Sequence, residues 1–272
     1  MADVSEKRAT FRALHAEGCF ALPNPWDVGS ARMLEYLGFK ALASTSSGFA
    51  WTIGRPDYGV RREDALAHLT ALCKGVDLPV IADFESGFGA TPEGVAESVR
   101  LAVQAGVSGL SIEDRNLQAG GTLYDRAAAL ARLRAARDAM QGSGAVLVAR
   151  TEILLDDPSQ VSAAIDSLVA FADAGADCLY APGVRKPDDI RAMAQAVAPK
   201  PLNVLALDLA MPLGLYADLG VRRVSIGGAL ARVGWAAVRA AAEGLAQGSF
   251  AALATGAPSR ELNGMFAKRD IS

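Results

Sequence analysis

The sequence lacks the lysine- and arginine-rich runs that a nucleic-acid-binding protein needs. Its 27 Lys and Arg residues are scattered along 272 residues beside 30 Asp and Glu residues, which gives a formal net charge of -3. Such a chain offers no basic footprint for a phosphate backbone. We therefore expect no nucleic-acid partner.

Membrane-spanning runs and paired cysteines are missing too. No uninterrupted apolar stretch of ~18 residues occurs, and the N-terminus carries acids in place of an export signal. The three cysteines, Cys19, Cys73 and Cys178, form no C-x-x-C pair, which is typical of reduced, buried thiols and argues against a disulfide framework or a zinc site. We expect a cytoplasmic protein with no membrane partner.

The chain does contain a regular alternation of short apolar runs with longer alanine- and leucine-rich segments of helical period. Helical segments include 61–74, 92–105, 125–141 and 158–174. Eight candidate strands lie near residues 19–23, 39–44, 79–84, 108–113, 145–150, 177–181, 201–206 and 222–227. Eight strands alternating with helices predict an α/β fold, the parallel (β/α)8 TIM barrel. The alternative, a doubly wound sheet, favours a Gly-x-Gly-x-x-Gly turn after its first strand, and residues 22–26 read LPNPW.

No linker or composition shift divides the chain, so we expect a single barrel domain over residues 1–272, although the length alone also permits two domains. Extra helices are predicted near 3–17 and, after the eighth strand, near 228–268. Apolar helices after the last strand often cap a barrel or pack on a neighbouring subunit. The tail therefore predicts a homo-oligomer, a dimer or tetramer.

A cluster of acids follows the third and fourth predicted strands. Residues 80–89, VIADFESGFG, end a buried strand on Asp83 and Glu85. Because side chains alternate along a strand, both are predicted to face the barrel axis, and Glu113 ends the next strand ~5 Å away. Three convergent carboxylates without histidine or thiolate suit Mg²⁺, with Mn²⁺ possible. The alternative is that these acids cap helices or pair with Arg150.

Anion-binding groups end other strands. Arg150 closes the fifth strand with a guanidinium that matches a carboxylate or phosphate, or pairs with a neighbouring acid. The predicted turn Ser46-Ser47-Gly48 offers hydroxyls and amides, and Asp57 lies farther along the same loop. Metal, arginine and turn together describe a site for a small dianion.

Several other residues are weaker candidates. His15 and His68 lie in helical segments away from the strand ends, so we do not expect histidine to be the general base. Asn203 lies early in its strand. Gly87 and Gly89 either permit a tight turn or let the backbone approach a ligand.

The order of these motifs resembles the isocitrate lyase/phosphoenolpyruvate mutase superfamily over nearly the whole chain. The matching stretches are 24–27 (NPWD), 45–48 (TSSG), 54–59 (GRPDYG), 80–89, 111–114 (SIED) and 149–152 (ARTE). The resemblance implies a barrel, often tetrameric with an exchanged C-terminal helix, that binds Mg²⁺ and a 2-oxo or 2-hydroxy acid and works through an enolate. It also implies that Asp83 binds the metal directly, that Asp57, Glu85 and Glu113 reach it directly or through water, and that Ser46, Ser47, Gly48 and Arg150 hold the substrate carboxylate.

The chain departs from the lyases and mutases of this superfamily in its loops. The lyase cysteine motif is absent from residues 113–122 (EDRNLQAGGT), residues 180–183 (YAPG) hold no lyase glutamate, and Glu85 replaces the usual aspartate. We therefore expect a Mg²⁺-dependent lyase-type enzyme that decarboxylates or hydrolyses an oxaloacetate-like 2-oxo acid, with Asp57 and Arg150 as catalytic residues and loop 115–124 as a lid. The alternatives are carbon–phosphorus chemistry on a phosphonopyruvate-like substrate and a non-catalytic 2-oxo acid binding barrel.

Overall fold

The fold is an eight-stranded parallel barrel, seen in a computed structural model that describes residues 2–267. The barrel strands are β1 (Phe20–Leu22), β2 (Leu42–Ala43), β3 (Val80–Asp83), β4 (Gly109–Glu113), β5 (Val146–Arg150), β6 (Cys178–Tyr180), β7 (Leu202–Leu205) and β8 (Arg223–Ser225). They are hydrogen-bonded in the order β1-β8-β7-β6-β5-β4-β3-β2, with parallel neighbours throughout. The Ala43 amide donates to the Pro23 carbonyl at 3.0 Å and so connects β2 with the end of β1. This confirms the predicted TIM barrel.

Helices alternate with the strands, as the periodicity predicts. Over the described residues they are α1 (Val4–Ala13), α2 (Val28–Tyr36), α3 (Ser46–Thr52), α4 (Arg62–Gly75), α5 (Pro92–Gln104), α6 (Arg126–Ala139), α7 (Ile153–Asp156), α8 (Val161–Asp173), α9 (Pro187–Val197), α10 (Leu213–Asp218), α11 (Ala229–Ala246) and α12 (Ser259–Phe266). The predicted extra helices are α1 at the start and α11 and α12 in the tail. Residue 268 of the predicted tail, like residues 1 and 269–272 of the predicted single domain, lies outside the described range.

Local sequence signals explain where these helices begin and end. Asp27, Thr91 and Asp125 accept hydrogen bonds from backbone amides three residues later, which caps α2, α5 and α6. The glycines that follow α2, α5, α8 and α10 all adopt positive φ, the conformation that lets a helix end and the chain turn back to the barrel: Gly38, Gly106, Gly175 and Gly220.

Apolar side chains fill both sides of the strands. Inside the barrel, Leu22, Ile81 and Val148 form a buried cluster with Phe11 of α1. Outside it, a larger cluster packs the strands against the surrounding helices. Because Arg8 and Arg12 of α1 donate to carbonyls that precede β4 and β5, α1 covers the amino ends of the strands. The carboxyl ends are left for a site.

The cysteines only partly match the prediction. Cys73 and Cys178 are buried, whereas Cys19 is half-buried and not fully enclosed as expected. Within residues 2–267, no helix is long and apolar enough to cross a bilayer.

Candidate active site

A cavity of about 180 Å³ opens at the carboxyl ends of the strands, where TIM barrels carry their active sites. Five of the predicted site residues line it: Ser46, Ser47, Asp57, Asp83 and Arg150. Polar residues from β4, β6, β7 and β8 complete the lining, among them Ser111, Tyr180, Asn203, Arg223 and Ser225. The structure therefore brings together side chains that are more than a hundred residues apart in the sequence.

Arg150 lies at the centre of the acids. Its Nη1 is 3.3 Å from Oδ1 of Asp83 and 3.2 Å from Oε2 of Glu113, and its Nε donates to Oε1 of Glu152 at 2.5 Å. Burial opposes the charged form, yet the three carboxylates hold the pKa of Arg150 well above its ordinary value. The pairing of acids with Arg150, left open by the sequence, is thus the arrangement found for Asp83 and Glu113.

Asp83 connects this cluster to the start of α3. Its Oδ2 accepts hydrogen bonds from the amide and hydroxyl of Ser46, at 3.0 and 2.8 Å. The predicted turn Ser46-Ser47-Gly48 is in fact the first turn of a helix, because Thr45 caps it by accepting the Gly48 amide at 3.2 Å. Ser46 and Ser47 line the cavity, and their binding of a substrate carboxylate stays a prediction.

Gly48 packs closely in the first turn of α3 and does not line the cavity. Its amide is engaged by Thr45, and a Cβ at this position would lie 3.1 Å from Cβ of Trp26 and 3.3 Å from that of Ala231. The missing side chain therefore allows α3 to pack closely against its neighbours. The substrate-binding role of Gly48 stays a prediction.

Glu85 lies beside the cavity and does not line it. The strand ends at Asp83, and Glu85 adopts a left-handed conformation with φ of 47°, so the side-chain alternation behind the prediction stops before this residue. Glu85 instead lines a smaller cavity of about 20 Å³ with Phe49, His68 and Phe88. Burial, followed by the charges of Asp83 and Glu113, raises the pKa of Glu85 to about 8.

Glu113 contacts Arg150, which Glu85 does not. Its backbone amide donates to the Glu85 carbonyl at 3.0 Å, which holds the ends of β3 and β4 together. Burial raises the pKa of its carboxyl, and Arg150 opposes that shift. Oε1 of Glu113 and Oε1 of Glu85 are both buried with no hydrogen-bond partner among the described residues.

The carboxylates of Asp83, Glu85 and Glu113 do not converge as a metal centre does in the described structure. Over residues 2–267, no group of three or more His, Cys, Asp or Glu side chains converges to hold an ion. Arg150 stands where Asp83 and Glu113 approach each other. The metal-ligand roles of Asp83, Glu85 and Glu113 stay predictions.

Asp57 and Tyr58 form the rim of the cavity, on the loop after α3. Partial burial and the nearby charge of Asp83 raise the pKa of Asp57. Tyr58 has φ of 61°, and burial together with the charges of Glu113 and Glu152 raises the pKa of its phenol. Tyr58 was not singled out from the sequence, although it directly follows the predicted Asp57.

The glycines of VIADFESGFG serve close packing. A Cβ on Gly87 would lie 2.8 Å from Cγ1 of Val95, and one on Gly89 would lie 2.3 Å from the Val95 amide nitrogen. The Arg132 guanidinium of α6 donates to the carbonyls of Ser86 and Gly89, at 2.7 Å each. Of the two readings left open by the sequence, the structure supports the tight turn.

Asp114 and the loop after β4 also take structural positions. Asp114 accepts the Thr151 hydroxyl at 2.7 Å and the Glu152 amide at 2.9 Å, which fixes the end of β5. The loop forms a small hairpin of Arg115–Asn116 and Thr122–Leu123. No residue of loop 115–124 lines the larger cavity in the described structure, so its function as a lid stays a prediction.

Asn24 is a site residue that the analysis of strand ends missed. Its Nδ2 donates to the Ser44 carbonyl, and its Oδ1 accepts the amides of Ile226 and Gly227, each at 3.0 Å. It therefore links the ends of β1, β2 and β8 around the cavity. The available signal was its place directly after the first strand, in the motif Asn24-Pro25-Trp26-Asp27.

Fold and site together define a class: a TIM barrel whose mouth gathers an arginine, several carboxylates and serine hydroxyls around a small cavity. The model of the family described as phosphoenolpyruvate phosphomutase matches residues 11–246. The chain therefore belongs to this family, within the isocitrate lyase/phosphoenolpyruvate mutase superfamily of lyases and mutases, which confirms the resemblance noted from the sequence.

Individual relatives extend over most of the chain. A crystal structure of a lyase/mutase candidate from Burkholderia cenocepacia J2315 is 43% identical, covers 98% of this chain and 99% of its own, and has a TM-score of 0.93. An oxaloacetate decarboxylase of Rhodopseudomonas palustris strain BisB5 is 30% identical over 95% of this chain and 89% of its own. An oxaloacetate acetylhydrolase in complex with the product oxalate is 26% identical, with a TM-score of 0.87 and coverage of 98% and 96%.

Proposed function

We propose that this protein is a divalent-metal-dependent lyase-type enzyme that breaks a carbon–carbon bond beside the carbonyl of a small, oxaloacetate-like 2-oxo acid. The observation that carries the proposal is the cluster of Arg150 with Asp83 and Glu113 at the mouth of a small polar cavity. The relatives named for oxaloacetate decarboxylation and oxaloacetate acetyl hydrolysis support this substrate class. Decarboxylation needs stabilisation of an enolate but no dedicated cysteine acid, which agrees with the missing lyase cysteine motif.

The carboxylates fit a hard divalent cation. Asp83, Glu85 and Glu113 offer only oxygen donors, which Mg²⁺ and Mn²⁺ prefer, and one oxygen each of Glu85 and Glu113 is buried without a partner among the described residues. These three residues would hold the ion. When bound, it would supply Lewis-acid polarisation of the substrate carbonyl.

The chain's own residues bind and orient the acid. The Arg150 guanidinium presents paired N–H donors that match the two oxygens of a carboxylate. Ser46 and Ser47 line the same cavity with their hydroxyls. A fixed positive charge beside a substrate that gains negative charge stabilises the transition state. Asp57 stands at the rim with a raised pKa, where it can hold a proton at the edge of the site.

The test is turnover of oxaloacetate with Mg²⁺ and after chelation, against the spontaneous reaction without protein. Pyruvate as product indicates decarboxylation, whereas oxalate and acetate indicate hydrolysis. We expect Glu113→Gln to lower kcat/KM about a hundredfold, whereas Glu97→Gln, an exposed glutamate on α5, leaves it unchanged. Full activity and Mg²⁺ dependence in Glu113→Gln would contradict the assignment.

The same preparation distinguishes the alternatives. Faster turnover of phosphonopyruvate than of oxaloacetate indicates carbon–phosphorus chemistry. Calorimetric binding of 2-oxo acids without any product indicates a binding barrel.

We further infer a cytoplasmic location from the unpaired cysteines, and a homo-oligomer, dimer or tetramer, from the apolar tail.

A further inference from the structure

Arg223 is a buried arginine without an acidic partner. It is 3% exposed and lines the same cavity as Arg150. Its Nε donates to Oδ1 of Asn203 at 2.9 Å, and its Nη1 lies 3.5 Å from Nε2 of His15. Among residues 2–267, no carboxylate forms a salt bridge with it, and no residue accepts a hydrogen bond from Nη2. A buried guanidinium normally has a carboxylate partner. The Nη2 donor of Arg223 is therefore available to bind an anion.

His15 does not neutralise that charge. Its Nδ1 is 2.8 Å from the Phe11 carbonyl, so this nitrogen carries the proton and leaves Nε2 as an acceptor facing Arg223. Burial, followed by the charge of Arg223, lowers the pKa of His15 to about 4. The imidazole is therefore neutral near pH 7, and the positive charge remains on Arg223.

Two other enclosed arginines have more partners than Arg223, although Nε of Arg132 is buried without one among the described residues. Arg132 donates to the backbone carbonyls of Ser86, Gly89 and Ala90. Arg150 contacts three carboxylates. Arg223 has one amide oxygen and one imidazole nitrogen, both neutral. Like Arg132, it has no carboxylate partner among the described residues, but unlike Arg132 it lines the cavity.

The strand register places Arg223 in a polar row that begins at Arg150. Arg150 pairs with Tyr180, Tyr180 with Asn203, and Asn203 with Arg223 across β5, β6, β7 and β8. All four line the cavity. The Arg150 guanidinium carbon lies 5.4 Å from the Tyr180 ring centroid, and Asn203 bridges Arg223 to Ser225 through Nδ2 at 3.1 Å. The cavity therefore has a cation at each end of this row.

We propose that Arg223 is a second anion-binding residue, which binds the distal carboxylate of an acid whose 2-oxo or 2-hydroxy end is held at Arg150 and Ser46. The inference rests on the proposed function and deepens it. The buried cation selects dicarboxylic over monocarboxylic acids, because only a second carboxylate can pair with it. A hydrogen bond between two charged groups is stronger than one between neutral groups, and this difference gives the selectivity its strength.

The test compares malate with lactate, which differ by the distal carboxylate. Calorimetry of the full chain with Mg²⁺ is expected to show that the wild type binds malate about tenfold or more tightly than lactate. Arg223→Gln, which keeps a donor for Asn203, is expected to lose about that tenfold for malate and to bind lactate unchanged. Arg222→Met is the matched control, since Arg222 precedes the same strand but donates to the Gly18 carbonyl.

The outcomes are separable. An unchanged malate-to-lactate ratio in a folded Arg223→Gln protein, checked by circular dichroism, overturns the inference, and so does a wild type that binds both acids equally. If Arg223→Gln does not fold, Arg223→Met, which also removes the charge, takes its place, and an unchanged malate-to-lactate ratio in that protein overturns the inference. Failure of the proposed function appears separately, as absent oxaloacetate turnover in a wild type that still prefers malate.

Discussion

At the scale of single residues, Arg150 pairs with buried acids of the fold and also faces the cavity where a substrate would bind. Asp83, Glu113 and Glu152 surround its guanidinium, and without that charge the acids would be buried like charges, which is strongly unfavourable. The same guanidinium faces a cavity large enough for a small acid. A ligand that brings its own cation and carboxylate can therefore exchange partners with this cluster without leaving charges unpaired.

The two buried histidines each lower the stability of the fold as the pH falls. Burial lowers the pKa of both His15 and His68 from 6.5 to about 4, aided at His15 by Arg223. The unfolded chain takes up protons below about pH 6.5 while the folded chain does so only below about pH 4, so these residues favour unfolding as the pH falls through that window. Each contributes about 1.4 kcal/mol per pH unit at most.

The raised pKa values of Glu85 and Glu113 act in the opposite sense, because protonation of these carboxyls favours the folded state as the pH falls. Variants isolate the histidine effect from theirs. We expect the free energy of unfolding at about pH 5 minus that at about pH 7, both measured in urea, to be more positive in His68→Gln than in the wild type. An equal difference in both proteins would show that His68 protonates as readily in the folded chain as in the unfolded one.

At the scale of elements, the loop after β3 depends on a helix that contributes no side chain to the cavity lining. Arg132 of α6 holds the carbonyls of Ser86 and Gly89 at 2.7 Å and lies over the Tyr124 ring. We expect Arg132→Met to lower the free energy of unfolding by about 2–4 kcal/mol, because two buried carbonyls lose charged donors. Urea unfolding measures this directly.

The same substitution tests whether the loop positions the acids. Since Glu85 lies one residue before Ser86, loosening the loop is expected to weaken Mg²⁺ binding in calorimetry as well. Arg134→Met is the matched control, because Arg134 is exposed on the same helix, and it is expected to change neither quantity. Wild-type stability in Arg132→Met would show that the carbonyls find other donors.

At the scale of the whole molecule, the barrel was predictable because its signals are local and repeated. Apolar runs, helix periods and the glycines that end helices recur at each unit, so an error in one unit leaves the others intact. Strand ends also identified Asp83, Glu113 and Arg150 as neighbours, because parallel strands finish at one end of a barrel. Both the barrel and the neighbouring strand ends follow from the order of strands and helices along the chain, which the sequence pattern predicts.

The rest of the site depends on irregular backbone positions, which the hydrophobic periodicity of the sequence does not predict. Glu85 leaves the strand through a positive φ, and Gly48 lies in a helix where a turn was expected. Arg223 was missed because it begins its strand, where the rule for barrel active sites does not direct attention. Its signal was the alternation in Arg223-Val224-Ser225, which places two polar side chains on one face of a buried strand.

Assembly is the remaining property at this scale, and the tail predicts it. In the described chain, α11 and the turn after it expose large apolar side chains, including Val233 (68% exposed), Val238 (59%) and Phe250 (72%), while α12 contacts α2 of the same chain. We expect this exposed apolar surface to form an interface. Light scattering is expected to give a multiple of the 28.2 kDa chain mass.

A charge placed in that surface should dissociate the assembly. We expect Val238→Glu to shift the scattering mass towards one chain, because the buried carboxylate would lack a partner. Val169→Glu, which puts the same charge on an exposed valine of α8, leaves the mass unchanged. A wild type with the mass of one chain would mean that the apolar face of α11 serves something other than self-association, and the site would then be complete within one barrel.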